Sequence, residues 1–431
     1  MQSDTKRVGM AAAQTLAQKL IAAACGRSHV EVGEIVTCNV DLAMFHDSSG
    51  PRRLQPMLDE LGASLWDKRK VVLVIDHYVP ETDDESRRIV RTARDWASAQ
   101  QLPNVYDSVG ICHVVLPEHG HLRPGMFCVG GDSHSPTGGA FGAYMFGIGS
   151  TEMLGVAVSG QIWVKVPQTL RMHWRNRLAH GVSAKDMMLH MIGRFGMNGG
   201  RYQAVEFAGE AVSALSMQER MTLSNMSAEL GSQVGLVAPD RVTADYLRAA
   251  GVPDEIDLAR WQTDSGAPME TCDFDAALLA PQVAAPHSPA NTRDVGTFRD
   301  VAVQVAYIGA CTGAKLEDLR AAASVLRGHR VADGVQLVVA PASLRDQARA
   351  AQEGVMEVLE KAGAKVLATT CGACAGYGAS IPEGSTVISS TARNFKGRMG
   401  AESAQVYLGS PYTVAASALR GRITDPREVL P

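Results

Sequence analysis

Short, unbroken runs of β-branched and aliphatic residues recur along the chain with helical stretches between them. That alternation is the signature of an α/β fold. VVLVIDH (Val71–His77) reads as a buried strand, and MFCVGGDSH (Met126–His134) as a strand running into a Gly-rich turn. VAVQVAYIGAC (Val301–Cys311), VQLVVAPAS (Val335–Ser343) and AKVLATTC (Ala364–Cys371) continue the series. Between the last two, LRDQARAAQEGVMEVLEKAG is expected as one long helix stopped by Gly363, since glycine accepts the left-handed conformation at low cost. The resulting βαβ unit implies parallel strands.

The polar residues of these segments gather at strand ends. Asp76–His77, Asp132–His134, Cys311 and Cys371 each follow an apolar run. In open α/β sheets ligands bind outside the carboxyl ends of the strands, so these groups are expected to share a cleft. Two stretches read as boundaries: the Pro/Ser/Asn-rich Pro286–Phe298 and, more softly, Gln161–Trp174.

Composition narrows the function classes. The chain has 431 residues, enough for two to four domains, and its net charge of −4 carries no basic excess. Nucleic acid and acidic membranes are therefore not expected partners. No apolar run reaches the roughly 18 residues that span a bilayer. In AAAQTLAQKLIAAAC, Gln14, Gln18 and Lys19 break the apolar run at helical spacing, so an amphipathic helix is expected rather than a signal segment. A cytoplasmic location follows as the expectation. The basic residues of RRIVRTARDW are expected on a solvated helix face, and the glycines of Gly138–Gly149 in close packing rather than in a phosphate cradle.

Eight cysteines scattered through a chain of this length argue for a few metal-binding or catalytic thiols among buried ones. Cys371 and Cys374 form the one close pair, and Cys311 has an equivalent strand-to-turn setting at the mouth of a helix. A helix amino end favours thiolate. Three thiols leave a fourth ligand open. Spacing alone admits buried structural cysteines, a zinc ion completed by histidine, or an iron–sulfur cluster. Cys25, Cys38, Cys112, Cys128 and Cys272 are expected to be packing residues.

Further segments widen the pattern: DHYVP (Asp76–Pro80), GICHVVLPEHG (Gly110–Gly120), GGDSHSPTGGAFGAYMFGIGSTE (Gly130–Glu152), SNMSAELGSQVGLVAPD (Ser224–Asp240), IGACTGAKLEDLR, CGACAG and ARNFKGRMG (Ala392–Gly400). Their residues and order resemble the aconitase superfamily, and within it the separate large subunits of the 3-isopropylmalate dehydratase type. The resemblance implies three α/β domains (1–167, 168–295 and 296–431) around a central cluster cleft, without the swivelling fourth domain of single-chain relatives. It implies a [4Fe–4S] cluster on Cys311, Cys371 and Cys374, with one iron open to substrate.

By the same resemblance, Asp76, His77, His113, Asp132, His134 and Glu229 are the expected catalytic groups. Ser133, Asn225, Arg393 and Arg398 are expected to bind a hydroxy di- or tricarboxylic acid. An open iron acts as a Lewis acid on the substrate hydroxyl, and guanidinium groups suit carboxylates. The implied reaction is reversible dehydration, foremost of 3-isopropylmalate, with the citraconate/2-methylmalate, 2,3-dimethylmalate and homoaconitate hydratase reactions as alternatives. A small subunit carrying the swivelling domain is the implied partner. A cluster-dependent regulatory or RNA-binding protein without turnover is the competing class. Two positions depart from the family pattern, Gly313 and Ala392, where asparagines are usual.

Overall fold

The structure is a computed structural model that describes residues 13–253, 256–371, 374, 376–377 and 381–430. Its strands are β1 (Ile35–Asn39), β2 (Leu42–His46), β3 (Val71–Ile75), β4 (Val105–Asp107), β5 (Phe127–Gly130), β6 (Tyr144–Gly147) and β7 (Gln161–Lys165) in the first region. Then come β8 (Thr169–Arg175), β9 (Ala204–Ala208), β10 (Val234–Val237) and β11 (Glu270–Asp275). The last region holds β12 (Gln282–Ala284), β13 (Thr292–Asp294), β14 (Val305–Ile308), β15 (Gln336–Val339), β16 (Lys365–Val366), β17 (Thr386–Ser389) and β18 (Gln405–Leu408).

Why β3 is apolar at every position is plain from its surroundings. Val71, Leu73 and Ile75 point into one core, and Val72 and Val74 into another, so both faces of its sheet are covered. That sheet runs β4-β3-β2-β5-β6, all parallel. A second parallel sheet runs β10-β9-β8-β11. The third runs β13-β12-β18-β17-β14-β15-β16 and is parallel from β18 to β16. Its antiparallel edge, β12 and β13, forms a hairpin around the Pro/Ser/Asn-rich stretch, so that stretch turns back into the third sheet. β1 and β7 form a separate antiparallel ribbon.

Strand order puts the site where it is. In the first sheet, β2, β3 and β4 step one way, and β5 and β6 step the other, so the order reverses between β2 and β5. In the third, the reversal falls between β14 and β17. At such a switch point the two following loops leave in opposite directions and open a crevice. Asp47 and Asp132 follow β2 and β5, while Cys311 and Arg393 follow β14 and β17.

The two crevices face each other because the sheets are tied together. Gly110 pairs with Ser343 as an isolated antiparallel bridge, and the Ile111 and Leu344 N–H groups reach across it to Ala342 O and Val109 O at 2.8 and 2.9 Å. Thr370 donates to the carbonyls of Asp76 and Val79 at 2.7 and 2.6 Å.

Two local expectations change, and a third holds. The long helix before Gly363 is two helices, Leu344–Gln352 and Val355–Ala362, because Gly354 between them adopts a left-handed φ of 73°. The amino-terminal helix forms over Leu16–Ala24, yet Gln14 and Gln18 do not face water. Their amides are buried and spent on the carbonyls of Ser28 and Val30 at 3.0 and 3.1 Å. The basic face Arg87, Arg88, Arg91 and Arg94 is exposed as expected.

The glycines after Asp132 are sites of close packing. A Cβ on Gly139 would sit 1.9 Å from the Gly235 carbonyl oxygen of β10, a backbone contact that cannot swing aside. Gly139→Ala should therefore destabilise the protein by about 1–3 kcal/mol or more through overpacking, read as a lower midpoint in urea unfolding.

Candidate active site at two sheet switch points

The first crevice is built on a carboxylate. Asp47, fully buried at the end of β2, accepts the backbone N–H of His77 at 3.1 Å and of Tyr78 at 2.8 Å. This fixes the turn after β3. Asp76 then takes the His77 Nδ1 proton at 2.7 Å and the Cys112 N–H at 2.7 Å. His46 stacks on His77 with ring centroids 4.2 Å apart.

Asp132, after β5, is the hub. Its Oδ1 accepts from His113 Nε2 at 2.7 Å and from the His134 N–H at 2.8 Å, and its Oδ2 lies 3.8 Å from His77 Nε2. His134 Nε2 donates to Glu229 Oε1 at 2.9 Å. That same oxygen accepts Arg393 Nε at 2.6 Å, and Arg393 Nη1 donates to Ser133 Oγ at 3.0 Å. A continuous polar chain thus links Asp132, His134, Glu229, Arg393 and Ser133. It borders a cavity of about 400 Å³ whose wall includes Asp132, Ser133, Ile148, Tyr202, Gln233 and Arg393.

The electrostatics follow from burial and pairing. Burial alone would push His77 down, but Asp76 beside it, with Asp132 and Asp47, outweighs burial and carries it up to about 10. Burial would raise Asp132, yet His113, His134 and His77 hold it well below the usual carboxylate range. Glu229 is likewise held down by His134 and Arg393 against its burial.

The second crevice holds sulfur. Cys311 is buried after β14, and Asn225 Nδ2 donates to its Sγ at 3.2 Å. Cys374 is buried too, and its N–H bonds Cys371 O at 3.0 Å. The Cys371 N–H in turn reaches Asp76 O at 3.1 Å, so the cysteine turn is attached to the Asp-His turn. Cys311 does not behave as a helix-mouth thiolate: burial pushes its thiol up to about 12, with Cys374 adding to the effect. The helix that would favour the anion begins only at Leu316. Cys371 and Cys374 act on each other, which lowers Cys374 and raises Cys371.

Three buried polar atoms at this junction lack a partner: Asn225 Oδ1, Glu229 Oε2 and Arg398 Nε. Arg398 contributes no bond to the chain described above. The other expected residues, Asp76, His77, His113, Asp132, Ser133, His134, Glu229 and Arg393, are joined by the contacts given, while Asn225 bonds Cys311 Sγ. His46 and Asp47 were not anticipated, although HDSSG has the same strand-end placement that flagged Asp76 and His77. Of the remaining cysteines, Cys38, Cys112 and Cys128 are buried, and Cys25 and Cys272 are partly so.

The two family departures have different settings. Ala392 is buried in the apolar core of the second sheet. Gly313 lies against Ser390, where a Cβ would meet Ser390 Oγ at 2.2 Å and its carbonyl oxygen at 2.5 Å. No side chain fits there while the loops after β14 and β17 keep this contact.

Two outcomes follow. Gly313→Ala should lower stability by about 1–3 kcal/mol, measured by thermal unfolding of the metal-free chain. The raised His77 contributes stability that is fully present below its unfolded value of about 6.5 and is lost as pH rises through about 10. Asp76→Asn should therefore flatten the decline in unfolding free energy between neutral pH and that point, read from urea titrations across the range.

The sequence is similar to those of known proteins along nearly its whole length. A sequence model of the aconitase family (aconitate hydratase) matches residues 18–299 and 293–421. The 3-isopropylmalate dehydratase large subunit 1 of Methanopyrus kandleri is 42% identical over 425 residues, covering 97% of this chain and 100% of that protein. The probable 3-isopropylmalate dehydratase large subunit of Methanothermobacter thermautotrophicus is 41% identical over 416 residues, 96% of this chain and 98% of that one. A probable methanogen homoaconitase large subunit from Methanosarcina mazei is 40% identical over 393 residues, 91% of this chain and 99% of that one. With a family model spanning nearly the whole sequence and relatives this similar end to end, the chain belongs to the aconitase family.

Proposed function

We propose that the chain is the large, catalytic subunit of an iron–sulfur hydro-lyase that reversibly dehydrates a hydroxy diacid, with 3-isopropylmalate as the substrate. One observation carries this reading. Cys311, after β14, and Cys374, after β16, are buried near enough for one to act on the other's thiol, Asn225 donates to Cys311 Sγ, and Asn225 Oδ1, Glu229 Oε2 and Arg398 Nε are buried without partners. A soft sulfur donor set beside orphaned polar groups fits a [4Fe–4S] cluster on Cys311, Cys371 and Cys374. Bound there, the cluster supplies a Lewis acid that weakens the substrate's C–O bond with no net redox change.

The protein's own groups do the rest. His77, kept protonated by Asp76 through neutral pH, is the acid that delivers a proton to the departing hydroxyl. Asp132 orients His113 and His134, and Glu229 holds the His134 ring by its Nε2 proton. Arg393, pinned by Glu229 and Ser133, lines the cavity and offers its remaining donors to a substrate carboxylate. Arg398, its Nε unpartnered, is a second carboxylate donor.

The carbon base and the reading of the substrate's side chain are assigned to a small partner subunit that carries the swivelling domain and closes over the cleft. Among the described residues no helix is long and apolar enough to cross a membrane; a cytoplasmic location is part of the proposal. Homoaconitate is the second substrate reading, favoured by the similarity to the Methanosarcina mazei protein.

Anaerobic loading with iron and sulfide should give the broad brown absorption of a cubane cluster, and Cys371→Ser should abolish it. The loaded chain alone should have little turnover. With its small subunit it should dehydrate 3-isopropylmalate in preference to the hydroxy tricarboxylic acid that yields homoaconitate, followed by absorbance of the unsaturated product. A colourless wild-type chain, or full turnover without a partner, would refute the proposal.

A further inference from the structure

Lys185 occupies the second position of the helix Ala184–Phe195 and is 1% exposed. Its ammonium spends its donors on the loops that flank the switch point of the third sheet. It donates to Thr312 Oγ1 at 3.2 Å, next to Cys311, and to the carbonyls of Ser390 and Thr391 at 2.6 Å each, just before Arg393. Thr312 Oγ1 closes the knot by donating to Ser390 O at 3.0 Å. Ser390 Oγ accepts the Gly309 N–H at 2.9 Å, so the β14 and β17 loops are stitched at both Gly309 and Thr312.

A buried ammonium held only by neutral oxygens is costly, because carbonyl dipoles do not replace a counter-charge. Among the described residues no carboxylate lies within ion-pair distance of Lys185, although the neighbouring Lys315 has Asp318 at 2.7 Å. Burial pushes the Lys185 ammonium down to about 8, while Asp318, Glu229 and Cys311 act to hold it up. Cys311 is the one of these groups whose charge the proposed cofactor changes: cluster ligands are thiolates, and a cubane on three of them is an anion.

The geometry points to Lys185 as a positioning residue that clamps the cysteine loop to the substrate-arginine loop and supplies the buried counter-charge for an anionic cluster at Cys311. This rests on the iron–sulfur reading above and assigns a role beyond it. The lysine touches neither substrate nor sulfur; it acts through the peptide groups of Ser390 and Thr391 and through Thr312. Its charge favours the more negative, reduced state of the cluster, so its removal should make reduction harder.

The test compares Lys185→Met, Lys185→Gln, Lys185→Arg and Thr312→Val in the full chain after anaerobic reconstitution. Methionine removes charge and donors, glutamine keeps an amide donor without charge, arginine keeps charge, and valine at 312 removes one bond while leaving the ammonium. Methionine and glutamine should shift the cluster's midpoint potential in the negative direction and shorten the half-time of colour loss in air about tenfold or more. Arginine should restore the potential, and Thr312→Val should leave it near wild type.

Metal-free circular dichroism and thermal unfolding report folding separately. Unmoved potentials and half-times in the methionine and glutamine variants would overturn the proposal. So would failure of both to fold, since the residue would then be a structural tie alone. A wild-type chain that takes up no cluster would instead sink the iron–sulfur reading itself.

Discussion

Everything at the centre of this protein depends on pairing buried carboxylates with N–H donors. Asp47, Asp76 and Glu229 are almost wholly out of water, and Asp132 is nearly so. An isolated carboxylate in such a setting would take up a proton. Here each is held by N–H groups aimed at it: Asp47 by the turn after β3, Asp76 by His77 and Cys112, Asp132 by His113 and His134, Glu229 by His134 and Arg393. Every member needs its neighbours, because removing one leaves a partner buried and unpaired. The same mutual dependence fixes the ring orientations of three histidines, and a proton-transfer site needs that before anything else.

Sheet topology places this network. Each of the two sheets that frame the cleft reverses its strand order once, and each reversal opens a crevice at the carboxyl ends. Histidines and carboxylates occupy one crevice and sulfur the other. The first crevice is lined by N–H donors and charged side chains that suit carboxylates, while in the second burial holds the Cys311 thiol up. The sheets meet through backbone bonds at Gly110–Ser343 and Cys371–Asp76, contacts that do not depend on side-chain flexibility.

The loops after β14 and β17 show how tightly the second crevice is set. Gly313 and Ser390 touch so closely that a methyl group has no room, and Lys185 bonds the Ser390 and Thr391 carbonyls on one loop and the Thr312 hydroxyl on the other. A packed backbone contact stands at the place where the resemblance leads one to expect an asparagine.

Much of this was legible in the sequence. The strands around Val71–Ile75, Phe127–Gly130, Val305–Ile308 and Gln336–Val339 announced themselves as apolar runs, since a strand covered on both faces cannot carry polar residues. Asp76, His77, Asp132, His134 and Cys311 stood out because they break those runs. Order along the chain could not show that β2 neighbours β5, or that β14 neighbours β17, because strand order depends on which crossovers bury the most apolar surface. Nor could it show that Lys185, lodged in an ordinary helix start, ends between two loops more than a hundred residues away. Local patterns encode burial and chain direction; long-range pairing of buried charge exists only once the sheets have closed on one another, and that closure set the pKa values, the crevices and the company each residue keeps.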